Sequence, residues 1–269
     1  MASSADSAVH RVLEAMPLVI SRHASILRDM SLIRTYRRNS WGSILFAALC
    51  SVYSPAEARG QFEVRPTSAT FWTTAGVALL GAALMDEHIC TATLAHQSGV
   101  LTSIADAGNW LGTGRNLIAG LAITYVGARL LHHRSLADGT MRVAAGYAAS
   151  NAIVSVLKPV VGRHRPDSTN DAWRFDPFST DGSSHSFPSS HAVHAFSLAA
   201  GATILSRSTW VGALGYTGAS VVAWSRIYDD QHWASDVTAS AVIGIATAST
   251  TIHWLDKRLP RNREVAAKR

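Results

Sequence analysis

The chain has 269 residues, of which 48% are hydrophobic and 16% are charged, and its formal net charge is +6. That charged fraction is low for a soluble domain, where about 25% is usual, yet the mean hydropathy of +0.12 is modest for a protein made mostly of membrane spans. Two cysteines are too few for a disulfide framework, and the sequence carries no nucleic-acid module or aromatic-plus-basic stripe.

The N-terminal part of the chain does not resemble the rest. Basic residues at 34–38 precede an apolar run at 41–53, and Ala56-Glu-Ala58 follows. A basic start, a short apolar stretch and a small-x-small end are typical of a secretory signal peptide. The alternative is an N-terminal anchor helix that stays attached.

This interpretation sets the expected domain boundary. Residues 1–58 are predicted to be an N-terminal extension with a signal peptide, and 59–269 to be a single folded domain. Met30 stands where such a signal would begin. Residues 1–29 are then either an unusual extension or an artefact of a start assigned too far upstream.

Six apolar segments rich in Ala, Leu and Val follow, separated by charged or Gly/Asp/Ser-rich turns. They are Ser68–Met85, Asn116–Leu131, Val143–Leu157, His191–Ser206, Ser208–Ser225 and Val237–Leu255. Strand-like alternation is absent, so the pattern predicts an all-α fold, a single bundle of about six helices. An Asp-Ala-Gly-Asn stretch at Asp106 is a candidate for one further short helix.

Three short blocks carry most of the polar chemistry. They are Lys158–Pro166, Pro188–His191 and Ser225–Asp236. Their cations can neutralise a phosphate, and the guanidiniums can do so with two hydrogen bonds each. This inventory suits the binding of a tetrahedral oxyanion.

The imidazoles supply the remaining chemistry. His232 and Asp236 are four residues apart and would share one face of a helix, so the carboxylate can hold one ring nitrogen and leave the other as a nucleophile. His191 is available as a general acid. No carboxylate or cysteine near the two histidines has metal-ligand spacing, so we predict no metal and no cofactor.

In an up-and-down bundle the three blocks fall at one end. Lys158 ends the third predicted helix, Ser189 begins the fourth, and His232 lies in the turn between the fifth and the sixth. Free N–H groups at the start of the fourth helix would face an anion. The loop 167–186 crosses the same end and is placed to act as a lid.

The order and spacing of these blocks resemble the phosphatidic acid phosphatase type 2 (PAP2) / vanadium haloperoxidase superfamily. Its signature is K-x6-RP, then PSGH, then SR-x5-H-x3-D. The first and third blocks match at every defining position, whereas Ser190 replaces the usual glycine of the second and still offers a backbone N–H. Arg163 falls at a variable position of the pattern.

The resemblance implies a role for each matching residue. His232 would be the nucleophile that forms a phosphohistidine, His191 the general acid, and Asp236 the residue that orients His232. The expected phosphate-binding residues are Lys158, Arg165, Ser189, Ser190 and Arg226.

The function that follows is that of a metal-independent, bacterial PAP2-type acid phosphatase acting on phosphomonoesters or on lipid phosphates or diphosphates. The alternative is a vanadium-dependent haloperoxidase using the same pocket, which the short chain disfavours. The reacting group is common to lipid phosphates, isoprenoid diphosphates and soluble esters, so the substrate stays open, as does the oligomeric state.

The expected location is outside the cytoplasm. Six crossings after a cleaved signal would put the basic turn at 129–142 outside, which the positive-inside rule disfavours. Either the bundle is exported to the periplasm and largely soluble, or it is an integral inner-membrane protein whose active end faces outward. The polar residues within the helices favour the first.

Overall fold

The structure, a computed structural model, describes residues 66–259 and contains seven α-helices in that part of the chain. They are α1 (Ala69–Ala95), α2 (Gly99–Gly112), α3 (Gly114–Leu130), α4 (Arg134–Val161), α5 (Ser190–Ser206), α6 (Thr209–Tyr228) and α7 (Ala234–Arg258). Two 3₁₀ turns, Pro166–Ser168 and Gly182–Ser184, interrupt the loop between α4 and α5. The predicted signal peptide and the boundary at residue 59 lie outside the described residues.

The prediction of an all-α bundle is confirmed, and each of the six predicted segments falls within a helix. The candidate short helix at Asp106 is the 14-residue α2, whose cap residue Ser98 accepts a hydrogen bond from the N–H of Leu101. The predicted end of the first helix at Met85 was wrong. Helix α1 continues to Ala95 because Asp86, which breaks the apolar run, is buried and paired.

Helix α5 lies at the centre of the bundle and packs against α4, α6 and α7. Its buried face is made of small residues such as Ala192, Ala199 and Ala200. Opposite them, a Cβ added to Gly244 of α7 would lie 2.6 Å from the carbonyl oxygen of Val193. Small side chains therefore let α5 and α7 approach closely at the centre.

The loop between α4 and α5 folds over the end of the bundle. It begins at Gly162, whose φ of 61° lies in the left-handed region and where a Cβ would collide with the carbonyl of Asp176. The N–H of Arg165 donates to Ser183 and the N–H of Ser186 donates to Arg163, both at 2.9 Å. These bonds fix the two ends of the loop beside each other.

Two helices, α1 and α4, are long and apolar enough to cross a membrane, and only 11% and 28% of their most apolar windows are buried in the bundle. Neither is therefore a core helix of the described domain. Large apolar side chains on them face outward, among them Val77, Leu84 and Val156, which are 74%, 74% and 62% exposed. This surface supports membrane association.

Candidate active site

The structure brings the eight predicted site residues to one end of the bundle, where α4 and α6 end and α5 and α7 begin. They are Lys158, Arg165, Ser189, Ser190, His191, Arg226, His232 and Asp236. The positive charges of Lys158, Arg165 and Arg226 act on one another and on His191 across this space. Among the described residues Arg226 has a salt-bridge partner, Asp229 at 3.4 Å, whereas Lys158 and Arg165 have none, so the cluster keeps an excess of positive charge that favours a bound anion.

Several buried donors at this end have no hydrogen-bond partner among the described residues. They include the Nε of Arg165, the Nε of Arg226 and the Oγ of Ser189. An unpaired buried donor costs about 1–3 kcal/mol. A tetrahedral oxyanion is a ligand that accepts hydrogen bonds of this kind.

The start of α5 supplies neutral donors. Ser189 is the cap residue, but its hydroxyl makes no capping bond, and its own N–H donates to the Oγ of Ser240 at 2.8 Å. Ser190 is the first helical residue, and the first N–H groups of a helix lack intrahelical partners. The serine that replaces glycine in the family pattern therefore leaves the backbone donor in place.

Arg226 is held by α2. Its Nη1 donates to the Oδ1 of Asn109, and the same oxygen accepts from the Oγ of Ser225 at 3.1 Å. The amide nitrogen of Asn109 donates in turn to Asp229. The sequence analysis did not identify Asn109 as a site residue, although it ends the Asp-Ala-Gly-Asn stretch.

The other two cations are also fixed by neutral groups. The Nζ of Lys158 donates to the carbonyl of His185 at 2.7 Å. Arg165 donates through Nη1 to the amide oxygen of Gln231, and the amide nitrogen of Gln231 donates to Asp167 at 2.9 Å. Carbonyl and amide partners orient the cations without neutralising them, so their charge stays available to a ligand.

His232 is buried in the turn between α6 and α7, and its Nδ1 lies 3.8 Å from the Oδ2 of Asp236. This is an ion-pair separation, longer than a hydrogen bond. Burial lowers the pKa of His232 to about 4, with Lys158 and Arg226 acting in the same direction and Asp236 opposing them. The imidazole is therefore neutral at pH 7, and Nδ1 is the ring nitrogen that lies near the carboxylate.

Asp236 is fully buried and accepts from several donors. Its Oδ1 accepts from Arg163 at 2.6 Å, and its Oδ2 accepts from the hydroxyl of Ser186 at 2.5 Å and the N–H of Trp233 at 3.0 Å. Because every one of these partners donates, the side chain is a carboxylate. The predicted orienting residue is thus itself rigidly oriented.

His191 is the second residue of α5 and lies outside both candidate spans. Burial lowers its pKa to about 4, and the nearby cations Arg226, Lys158 and Arg165 contribute. The imidazole is therefore neutral at pH 7. A bound phosphate dianion opposes these cations, which favours the protonated imidazole that a general acid requires.

Gly112, the last residue of α2, lets this helix approach His191. An added Cβ would lie 2.4 Å from the Cγ1 of Val222 and 3.0 Å from the Cδ2 of His191. We expect Gly112→Ala to destabilise the protein by about 1–3 kcal/mol through overpacking and to lower turnover by displacing His191. Thermal unfolding and phosphate release measure the two effects.

The control is Gly120→Ala on α3, where an added Cβ would meet no atom within 4 Å. This variant should keep its activity. Equal behaviour of the two variants would contradict the close packing of α2 against His191.

Two other histidines, His194 and His185, have structural partners. The Nε2 of His194 contacts the amide oxygen of Asn151 at 2.9 Å, and its ring stacks on Tyr147. His185 contacts the carbonyl of Ser179. Between residues 66 and 259, no three His, Cys, Asp or Glu side chains are grouped to hold a metal ion, and the absence of a metal stays a prediction.

Comparison with known proteins identifies relatives. Residues 139–260 match the model of the PAP2 superfamily. The chain is 38% identical over 136 residues to the lipid A 1-phosphatase of Porphyromonas gingivalis, covering 48% of this chain and 27% of that protein. It is 34% identical over 90 residues to the undecaprenyl-diphosphatase of Sulfolobus acidocaldarius, covering 33% of this chain and 42% of that protein. The match therefore spans less than half the length of these curated relatives.

Two solved structures share the fold. One is the transmembrane PAP2-type phosphatidylglycerolphosphate phosphatase from Bacillus subtilis, with a TM-score of 0.55, 21% identity, and coverage of 70% of this chain and 97% of that one. The other is Aquifex aeolicus LpxE, with a TM-score of 0.50, 18% identity, and coverage of 63% and 95%. Residues 139–260 are therefore similar in sequence to the PAP2 superfamily, and the chain shares its fold with these two solved phosphatases.

Proposed function

We propose that this protein is a metal-independent phosphatase that hydrolyses a lipid phosphate or diphosphate through a phosphohistidine on His232. The observation that carries the proposal is the cluster of buried donors without partners, Arg165 Nε, Arg226 Nε and Ser189 Oγ, around a neutral histidine. The curated relatives in the comparison are named as lipid phosphatases, and they do not favour the haloperoxidase alternative.

In the first step the phosphate binds to the three cations and to the start of α5. The Nε2 of His232 attacks phosphorus while the bond to the leaving oxygen breaks, and protonated His191 gives its proton to that oxygen. The carboxylate of Asp236 balances the positive charge that develops on the imidazole. The cations stabilise the equatorial oxygens, which is the largest contribution expected in phosphoryl transfer.

In the second step water attacks phosphorus and the P–N bond breaks. Neutral His191 accepts the proton of the water, which returns both histidines to their starting states. The products are the dephosphorylated alcohol, or the monophosphate from a diphosphate, and inorganic phosphate. No redox change occurs, and every proton has a named donor and acceptor.

The surface around the site supports an amphipathic substrate. Trp173 and Phe178 of the loop between α4 and α5 are 60% and 75% exposed, as side chains at a membrane interface are. An apolar crevice of about 210 Å³ lies beside them, between Leu79 of α1 and Val161 of α4. A soluble phosphate ester would gain nothing from this apolar surface, whereas a lipid would.

The test is phosphate release by the purified protein in detergent micelles. The panel contains a lipid A 1-phosphate, undecaprenyl diphosphate, phosphatidylglycerolphosphate, phosphatidic acid and a soluble alkyl phosphate, each with and without a chelator. We expect at least one lipid to exceed the soluble ester in kcat/KM, with no effect of the chelator. Bromination by the vanadate-loaded protein without phosphate release from any substrate would overturn the proposal.

We further propose that the active end faces the periplasm. The C-terminal end of α7 lies about 37 Å from its start at the site, at a rise of 1.5 Å for each of its 25 residues. With the active end in the periplasm, this distance places the far end of α7 on the cytoplasmic side. A green fluorescent protein fused to the C-terminus should therefore fluoresce, and alkaline phosphatase fused there should be inactive. The reverse pair of results would contradict this orientation.

A further inference from the structure

A second buried carboxylate lies behind the proposed catalytic pair. Asp86 of α1 is 1% exposed, and its Oδ2 accepts from the Nη2 of Arg163 at 2.8 Å. The Nη1 of the same guanidinium donates to Asp236 at 2.6 Å. Arg163 thus bridges a carboxylate of α1 and a carboxylate of α7.

Ser235 closes this group into a ring of hydrogen bonds. Its N–H donates to the Oδ1 of Asp86 at 2.8 Å and its hydroxyl donates to the Oδ2 at 2.5 Å. The same hydroxyl accepts from the Nη1 of Arg163 at 2.7 Å. Ser235 immediately precedes Asp236, so α1 is bonded directly to the turn of α7 that carries the orienting carboxylate.

The guanidinium of Arg163 has no remaining rotational freedom. Its Nε and Nη2 both donate to the carbonyl of Ala172, at 3.0 and 2.8 Å, and its plane lies near the rings of Phe175 and Trp233. A group held by the loop, by α1 and by α7 together fixes Asp236 in one position.

The charges of the group also bear on His232. Every hydrogen bond that the side chains of Asp86 and Asp236 make is one that they accept, so both are carboxylates. With the positive charge of Arg163, the three side chains carry a net charge of one negative. If Asp86 were neutral, the positive charge of Arg163 would cancel the negative charge of Asp236 completely. The phosphohistidine would then develop its positive charge beside a neutralised partner.

We infer that Asp86 and Arg163 are positioning residues, which act through Asp236 to hold His232 and to balance its charge as it attacks phosphorus. The inference rests on the proposed phosphatase function. Asp86 lies outside the residues 139–260 that match the family model, and Arg163 occupies a variable position of the sequence pattern. Neither belongs to the oxyanion cluster, so their loss should affect the nucleophile and spare phosphate binding.

The experiment compares Asp86→Asn and Arg163→Lys with the wild type in the detergent-solubilised full chain. For both variants we expect kcat to fall on the order of 10- to 100-fold, as when the outer partners of an oriented histidine are removed. KM and competitive inhibition by inorganic phosphate, a ground-state ligand, should stay within about twofold, because an interaction made only in the transition state lowers kcat alone.

Asp256→Asn is the matched control, because Asp256 also pairs with an arginine of the bundle, Arg142, at 2.5 Å. It lies on α7, about 30 Å from Asp236 at 1.5 Å per residue. This variant should change the thermal unfolding midpoint and leave kcat unchanged, which separates the loss of an ion pair from the loss of positioning.

Wild-type turnover and the variant ratios test different claims. A wild type that releases no phosphate overturns the proposed function and this inference with it. An active wild type with unchanged kcat in folded Asp86→Asn and Arg163→Lys overturns the inference alone, as does a parallel loss of kcat and of affinity for inorganic phosphate. Should both variants fail to fold, Ser235→Ala decides, because it keeps all three charges, and a normal kcat there contradicts the inference.

Discussion

Replacing His232 with alanine is expected to lower kcat by about 10⁴-fold or more, because the residual activity of an enzyme without its nucleophile comes from binding and oxyanion stabilisation alone. The fold should survive, since the Nδ1 of His232 makes no hydrogen bond that other side chains depend on. Phosphate release and thermal unfolding measure the two outcomes.

Asp236→Asn should also reduce kcat strongly, because it removes the negative charge that balances the positive charge developing on His232.

The matched control for His232→Ala is His253→Ala, which removes a histidine from the far end of α7, where its Nδ1 contacts the carbonyl of Ser249. That variant should turn over like the wild type. Activity retained in His232→Ala would contradict covalent catalysis at this residue, whatever the behaviour of the control.

Replacing His191 with alanine should have an effect that depends on the leaving group. An alkoxide needs a proton in the transition state, so hydrolysis of an alkyl or lipid ester should slow by about 10²- to 10⁴-fold. A nitrophenolate leaves without protonation, so nitrophenyl phosphate should lose far less. The ratio of the two kcat/KM values, compared between variant and wild type, measures the role directly.

The same ratio for Ser240→Ala serves as a control, because Ser240 contacts the N–H of Ser189 and donates no proton to a leaving group. Its losses should be equal on both esters. Equal losses on both esters in His191→Ala would remove His191 from the general-acid role and leave it as a packing residue beside Gly112.

The residues at the site that were predictable from sequence are those with fixed spacing. His232 and Asp236 are four residues apart, and Lys158 and Arg165 bracket one short turn, so each pattern is local and three such patterns occur in order. The expected shared helical face was wrong, because α7 begins at Ala234 and His232 lies in the turn before it. Their convergence follows from an up-and-down bundle, in which alternate helix ends share one side. The six predicted segments gave that topology, even though α1 and α4 extend further than their apolar runs.

The residues that sequence reasoning missed act over long separations. Asn109 meets Arg226 across 117 residues, and Asp86 meets Ser235 across 149. Neither belongs to a motif of fixed spacing with its partner, so the sequence does not indicate its contact. Arg163 lies within a predicted block, but only the fold brings its guanidinium between two carboxylates.

The most direct test of the proposed chemistry is to trap the covalent intermediate. The wild type is mixed with an excess of a lipid phosphate and quenched within a few turnovers under alkaline conditions, which preserve a phosphohistidine. The peptide that contains His232 is then examined by mass spectrometry, with His232→Ala and His253→Ala treated in the same way. The account predicts a phosphorylated His232 in the wild type and in His253→Ala, and no phosphorylated peptide in His232→Ala. Rapid phosphate release with no phosphorylation at His232, or with phosphorylation at another residue, would contradict it.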